Sequence, residues 1–421
     1  MLLLGIVLAV GHVALASWRA THGAADLVGF HETAVHWWRT GELTNAFGAQ
    51  FYLPVFTVLI APVAIWPLAV SGVLLGTINV LLFVLTVQKC RQLAANGERL
   101  PNPLAWTWPI LLVFPFASGT IALGQVNLIV LWLCVLAYVQ SVHNRPYRTG
   151  LLIALAGCLK IYPLIFSLYW LLKGQWRVTL GTWMGFLFLS VGLSLYAFSW
   201  QGTVKAHRQW LDAVQGAKYR STQSPKNDDG SDSSSATQRS AGHQLIFTEQ
   251  RTQWHRRNNQ SLAVVVRRLT TDLYPGHDHP HKLNLPNLSA NQAQCVYCVI
   301  SATLLLLLSY VAWRRRQATQ NFAEWSGWLA SIVAFIPIYW THYFVLLLPA
   351  LICLSIAIWR RHAQGQRCWL NKILRASWLI GIVLLTWTPF QLIGGNAWLA
   401  LTVMTWAIWR GDRELAEPSK P

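Results

Sequence analysis

The sequence predicts an all-α polytopic membrane protein with about twelve membrane-crossing or hairpin helices. Three observations predict it. Of 421 residues, 54% are hydrophobic and 11% charged, against roughly 25% charged in a typical soluble domain. The apolar residues come in runs long enough to cross a bilayer, separated by short polar segments. Those segments carry much of the +18 net charge, the bias expected of cytoplasmic loops rather than the basic patch of a nucleic-acid binder. The 24 tryptophans suit interfacial anchoring.

The elements follow in order. MLLLGIVLAVGHVALASW lacks a basic n-region, so it reads as a retained first span, 2–18, rather than a signal peptide. Residues 19–52 are polar and aromatic and form a first extracytoplasmic loop. The run 53–88 is too long for one crossing and is broken by Pro62 and Pro67. It reads as an interfacial or re-entrant segment, 53–67, followed by a span, 68–88; two full spans are the alternative. Lys89, Arg91 and Arg99 put 89–103 inside. Spans at 104–118 and 126–142 are joined by SGTIALGQ, and HNRPYR is again inside.

The next run, LLIALAGCLKIYPLIFSLYWLL, carries Lys160 at its centre. A charge at mid-bilayer costs about 3 kcal/mol on insertion scales. The segment after it, KGQWR, is basic. A single span would put KGQWR outside; a hairpin of two short helices returns it inside. The turn then falls at Lys160–Pro163, with Lys160 at an aqueous cavity and Pro163 in the first turn of the second half-helix.

A span at 178–199 precedes a long extracytoplasmic loop, 200–292. Within it, 218–242 is rich in Ser, Asp, Gln and Gly and reads as disordered. From Gln260 the apolar spacing fits a short basic amphipathic helix carrying Arg267 and Arg268. A span at 293–313 ends in RRR, residues 325–359 form a second hairpin around PIYWTHYF, and RRHAQGQR is inside. Spans at 369–389 and 396–409 complete the set, with both termini cytoplasmic. Cys295 and Cys298 form a CxxC that lacks a second pair, and it reads as helix packing.

This topology gathers unusual polar residues on one face: Asp26 and Glu32, then Gln125 and Asn127, then Lys160. Asn259, Gln260, Ser261, Arg267 and Arg268 come from the long loop, and His342 and Tyr343 from the second hairpin. One carboxylate among cations and amides is what sugar-phosphate transfer requires. The carboxylate takes a proton from an acceptor hydroxyl, and the cations stabilise the departing phosphate. Each residue has a structural alternative. Asp26 suits a helix N-cap, Lys160 suits snorkelling, His342 suits packing, and the arginines suit plain surface charge. GxxxxGK[ST], HExxH, GxSxG and GxGxxG are all absent from the sequence, so nucleotide-driven chemistry has no support. A transporter or flippase for a lipid-linked or anionic solute is the competing class, but no internal repeat is visible.

Several segments in order resemble a known family: ADLVGFHETAVHWWRTGEL, YLPVFTVLIAPVAIWP, GQVNLIVLWL, AGCLKIYPLIF, NNQSLAVVVRRL and PIYWTHYFVLLLPAL. The chain resembles glycosyltransferase family 87, the polyprenol-phosphate-mannose-dependent mannosyltransferases of the GT-C superfamily. The resemblance implies a GT-C-type fold with an active site at the outer face of the plasma (inner) membrane. It implies a polyprenyl-phosphate sugar donor, usually mannose, a glycolipid or glycan acceptor, and inversion at the anomeric carbon. It implies Asp26 as general base, with Lys160 near the donor phosphate and His342 as the matching histidine. Gln125, Asn127, Asn259, Gln260, Ser261, Arg267 and Arg268 fall in or beside matching motifs as substrate-binding candidates. No cofactor is implied. No second aspartate pairs with Asp26, which argues against an obligatory divalent metal, although Glu32 leaves one open. The insert 218–242 departs from the family core.

Overall fold

A computed structural model describes residues 2–23, 26–43, 52–96, 104–220, 261–271, 286–317, 321–336, 341–363 and 397–406. All regular elements among them are helices. Residues 221–242 of the 218–242 insert, Asn259, Gln260 and the expected span at 369–389 lie outside these residues.

The chain opens with α1 (Leu2–Thr21) and α2 (Asp26–Thr40). Proline starts α3 (Pro54–Ala64), where its missing N–H costs nothing. Pro67 then restarts the chain as α4 (Leu68–Ala95), so the apolar run 53–88 is two helices joined at a proline. Next come α5 (Leu104–Ala122) and α6 (Asn127–Val142), bent by 120° at their junction. α7 (Pro146–Leu159) stops at Lys160, whose backbone is extended (φ −151°, ψ 129°). A 3-10 turn at Tyr162–Ile165 leads into α8 (Phe166–Leu172).

α9 (Trp176–Leu187) passes through a π turn, Phe188–Gly192, into α10 (Leu193–Arg220). Here the fold departs from the expected loop start at 200. The chain kinks at Ser199 (φ 61°) and stays helical to Arg220. Hydropathy falls after Trp200, but the polar segment lacks proline and retains apolar residues at helical spacing, so loss of membrane character is not loss of helix. The remaining helices are α11 (Leu262–Thr270), α12 (Ala290–Arg314), α13 (Phe322–Phe335), a 3-10 segment Thr341–Leu347, α14 (Leu348–Ala363) and α15 (Ala397–Trp406).

Among the described residues, four helical stretches are long and apolar enough to cross a membrane: Leu68–Ala95, Trp176–Asp212, Asn291–Arg314 and Thr341–Arg360. The bent α5–α6 pair raises this to five. The apolar helices Pro54–Ala64, Pro146–Leu159, Tyr162–Leu172 and Ala397–Trp406 are shorter than a full crossing, whereas α1 runs for 20 residues. Large apolar side chains face outward on these stretches, including Leu81 on α4, Leu187 and Phe188 on α9–α10, and Leu306 on α12. Such a surface suits lipid rather than water. The protein is a multi-pass membrane protein.

Thr341–Arg360 is the innermost of the four stretches and is almost wholly buried. α5 packs on this segment, α6 and α9 flank α7, α1 crosses α4, and α2 lies on α3. Close packing needs small residues because lipid supplies no hydrophobic drive between helices. At Gly150 of α7 a Cβ would come within 2.5 Å of the Thr182 backbone on α9. The core is aromatic: Phe166, Trp170, Trp325 and Trp328 are fully buried, and the Phe166 and Trp325 rings stack at 5.3 Å.

A candidate active site around Asp26 and Lys160

The turn between α5 and α6 sets the site. Gly124 there has φ +64°, and a Cβ on it would come within 2.6 Å of Leu27 Cβ. Only glycine meets both demands. The close approach lets the Leu27 N–H donate to Leu123 O at 3.2 Å, which ties the start of α2 to the turn. Gln125 follows Gly124. Asn79 on α4 donates to Gln125 O at 3.0 Å, and Gln125 N donates to Thr120 O at 3.0 Å, so the backbone is held from both sides.

The Gln125 side chain is buried and joins three elements. Its Nε2 donates to Asp26 Oδ2 at the first residue of α2. Its Oε1 accepts from Lys160 Nζ at 3.1 Å and from Tyr52 Oη at 3.1 Å. These partners fix which way the amide points. Lys160 Nζ also donates to Tyr343 Oη at 2.7 Å and lies 3.9 Å from the centroid of that ring. The Tyr52 ring centroid is 5.5 Å from Lys160 Nζ. Two aromatic rings thus help a desolvated cation keep its charge.

Asp26 and Lys160 make no direct ion pair among the described residues; the Gln125 amide stands between them. That leaves valences open. Lys160 has three N–H donors and directs two of them to protein oxygens. Asp26 offers its second oxygen. Burial pushes the Asp26 carboxyl above the usual carboxylate range, while the Gln125 hydrogen bond and the Lys160 charge pull it partly back. A carboxylate moved toward neutrality is a better proton acceptor at neutral pH.

His342 joins the same neighbourhood. It is buried, its carbonyl accepts from Thr120 Oγ1 at 3.1 Å, and its ring meets Tyr343 edge-on at 4.9 Å. Its Nε2 has no hydrogen-bond partner among the described residues, and neither atom of the buried Asn127 amide has one. A buried polar group without a partner costs about 1–3 kcal/mol, and a ligand hydroxyl would remove that cost.

The sequence-predicted residues therefore divide. Asp26, Gln125 and Lys160 are joined by hydrogen bonds, and His342 packs beside them. Asn127 opens α6 two residues beyond Gln125. Arg267 and Arg268 lie on α11 and Ser261 precedes it, and the main packing partners of α11 are α12 and α13. Ser261 caps α11 by accepting from Val264 N at 3.3 Å, and Arg268 is buried rather than a plain surface charge.

Tyr52 has a place in this network that sequence reasoning missed, and Tyr343 a specific contact it did not anticipate. Tyrosine is common at membrane interfaces, so nothing local distinguishes Tyr52. Tyr343 is marked only by adjacency to His342. Among the described residues, no three His, Cys, Asp or Glu side chains form a metal-holding group.

Over 390 residues the chain is 22% identical to a "Polyprenol-phosphate-mannose-dependent alpha-(1-2)-phosphatidylinositol mannoside mannosyltransferase" of Mycolicibacterium smegmatis, covering 85% of this chain and 73% of the relative. The protein of the same name from Mycobacterium tuberculosis is 24% identical over 378 residues, with the same coverage of both chains. No solved structure matches significantly. The model of glycosyltransferase family 87 matches residues 51–270, a span that holds Tyr52, Gln125 and Lys160, and the chain belongs to that family.

Proposed function

We propose that the protein moves a hexose from a polyprenyl-phosphate donor to a hydroxyl of an extracytoplasmic glycolipid or glycan acceptor, with inversion. Mannose is the sugar named in its distant relatives. The GT-C fold, the plasma membrane and an active site on the outer face belong to the same reading. The observation that carries it is the Asp26–Gln125–Lys160 connection, which brings a base at the start of α2 and a cation just past the end of α7 to one amide.

The reaction is a single displacement. Asp26 takes the proton of the acceptor hydroxyl. The oxygen forms a bond to the anomeric carbon while the bond from that carbon to the phosphate oxygen breaks. The electron pair leaves with the polyprenyl phosphate, which the free donor of Lys160 receives. Phosphate is a good leaving group, so no strong general acid is needed. His342 and Asn127 offer unmatched polar atoms to sugar hydroxyls.

The test uses purified full-length protein, radiolabelled polyprenyl-phosphate mannose and candidate glycolipid acceptors. A new labelled glycoconjugate is expected from the wild type. Transport of label across vesicles without any glycoconjugate would overturn the reading.

A further inference from the structure

A groove of about 360 Å³ runs between α2 and the α3–α4 junction. Alanines at positions 34, 61 and 64 floor it, and their small side chains give it depth. Its walls are apolar and open to the surroundings: Trp38 is 68% exposed, Ile65 60% and Trp66 51%. Apolar side chains elsewhere on the protein face lipid from helix surfaces, whereas here they surround a depression. The polar lining is one-sided. Arg39 and His31 line the groove, and no acidic side chain does. His31 Nε2 meets Trp66 O at 2.9 Å, which pins one wall and leaves Nδ1 for another partner. Arg39 has no ion-pair partner among the described residues. Glu42, just beyond α2, lies 3.8 Å from Lys205 and does not neutralise it.

Apolar walls with a cation at one edge match a lipid that carries negative charge at its head. We infer that this groove binds an anionic phospholipid of the bilayer. The phosphate sits at Arg39, and an acyl chain lies against Trp38, Ile65 and Trp66. Tryptophans at headgroup depth fit this placement. Its location at the outer membrane surface rests on the topology in the proposed function. Lipid binding itself requires neither donor nor acceptor.

The experiment measures bound lipid rather than transfer. Full-length protein is reconstituted in nanodiscs holding equal phosphatidylglycerol and phosphatidylcholine, then extracted gently, and the retained lipids are weighed by native mass spectrometry. Wild-type protein is expected to retain phosphatidylglycerol preferentially. Arg39→Ala should reduce that preference about fivefold, the effect of one basic residue near a charged headgroup. Arg39→Lys should keep most of it. Val35→Trp, which fills the groove, should likewise abolish the preference, while the exposed Arg148→Ala should leave it unchanged. Equal retention of the two lipids by the wild type, or an unchanged ratio in Arg39→Ala, would overturn the inference. Because no sugar is transferred in this assay, its failure leaves the glycosyltransferase reading untouched, and the reverse also holds.

Discussion

Two buried lysines thirteen residues apart have opposite surroundings. Lys173 caps α8 and meets Glu324 directly at 3.3 Å. It also donates to Arg315 O at 2.9 Å, and Arg315 lies 3.7 Å from the same carboxylate. The cluster ties the α8–α9 turn to the α12–α13 connection. Lys160 has no carboxylate at ion-pair distance among the described residues. It reaches a neutral amide and a phenol, and Asp26 lies on the far side of that amide. A charge closed by an opposite charge holds structure together. A charge closed by neutral oxygens retains affinity for an anion that is not yet present.

The largest break in this comparison is at the carboxylate of the open cluster. Asp26→Asn should keep the hydrogen bond to Gln125 or its mirror while removing the proton acceptor. Transfer should fall by about 10²–10⁴-fold, the usual contribution of a general base, with unchanged folding in membranes. A normal single-turnover rate in that variant would remove Asp26 from the mechanism. The matching change in the closed cluster should do the reverse. Glu324→Ala leaves Lys173 buried without its carboxylate and should cost about 3–5 kcal/mol of stability. Thermal unfolding in detergent would show this loss, while transfer per folded molecule stays near wild type. If Glu324→Ala instead lowered the transfer rate with stability intact, the two clusters would not divide as described.

Lys160→Met comes next. Removing a charged hydrogen bond to phosphate should raise the donor KM by roughly 10- to 100-fold and leave the acceptor KM nearly constant. Equal changes in both would make Lys160 a structural residue like Lys173.

Much of this contrast was legible in the sequence, for definite reasons. The break at Lys160 followed from the cost of a charge in a bilayer and from the basic KGQWR beyond it. Gln125 was visible as an amide in a turn between apolar runs. Its position between Asp26 and Lys160 was not, because that depends on Gly124 letting the turn close against Leu27. Tyr52 was silent because its role comes from reach alone. The helical course of α10 beyond Ser199 was missed because hydropathy reports the solvent, whereas helicity follows backbone hydrogen bonding and spacing. The arginines of α11 were expected at the site on charge and motif position. The fold places α11 mainly against α12 and α13, a packing choice no local pattern announces.

The smallest and sharpest test concerns the amide itself. Gln125 lowers the proton affinity of Asp26 by donating to its carboxylate. A base works only when deprotonated, so activity rises with pH through its pKa. Gln125→Ala removes the donor, and the Asp26 pKa should rise further. The acid limb of kcat/KM against pH should therefore move to higher pH, with transfer near neutrality reduced about tenfold, the worth of one charged hydrogen bond. Gln125→Glu still offers oxygens to Lys160 and Tyr52 but faces Asp26 with a second carboxylate, so its acid limb should move further than that of the alanine variant. A purely packing role predicts lower protein yield and an acid limb that stays in place in both variants. The order wild type, Ala, Glu along the pH axis is what an amide interposed between base and cation requires.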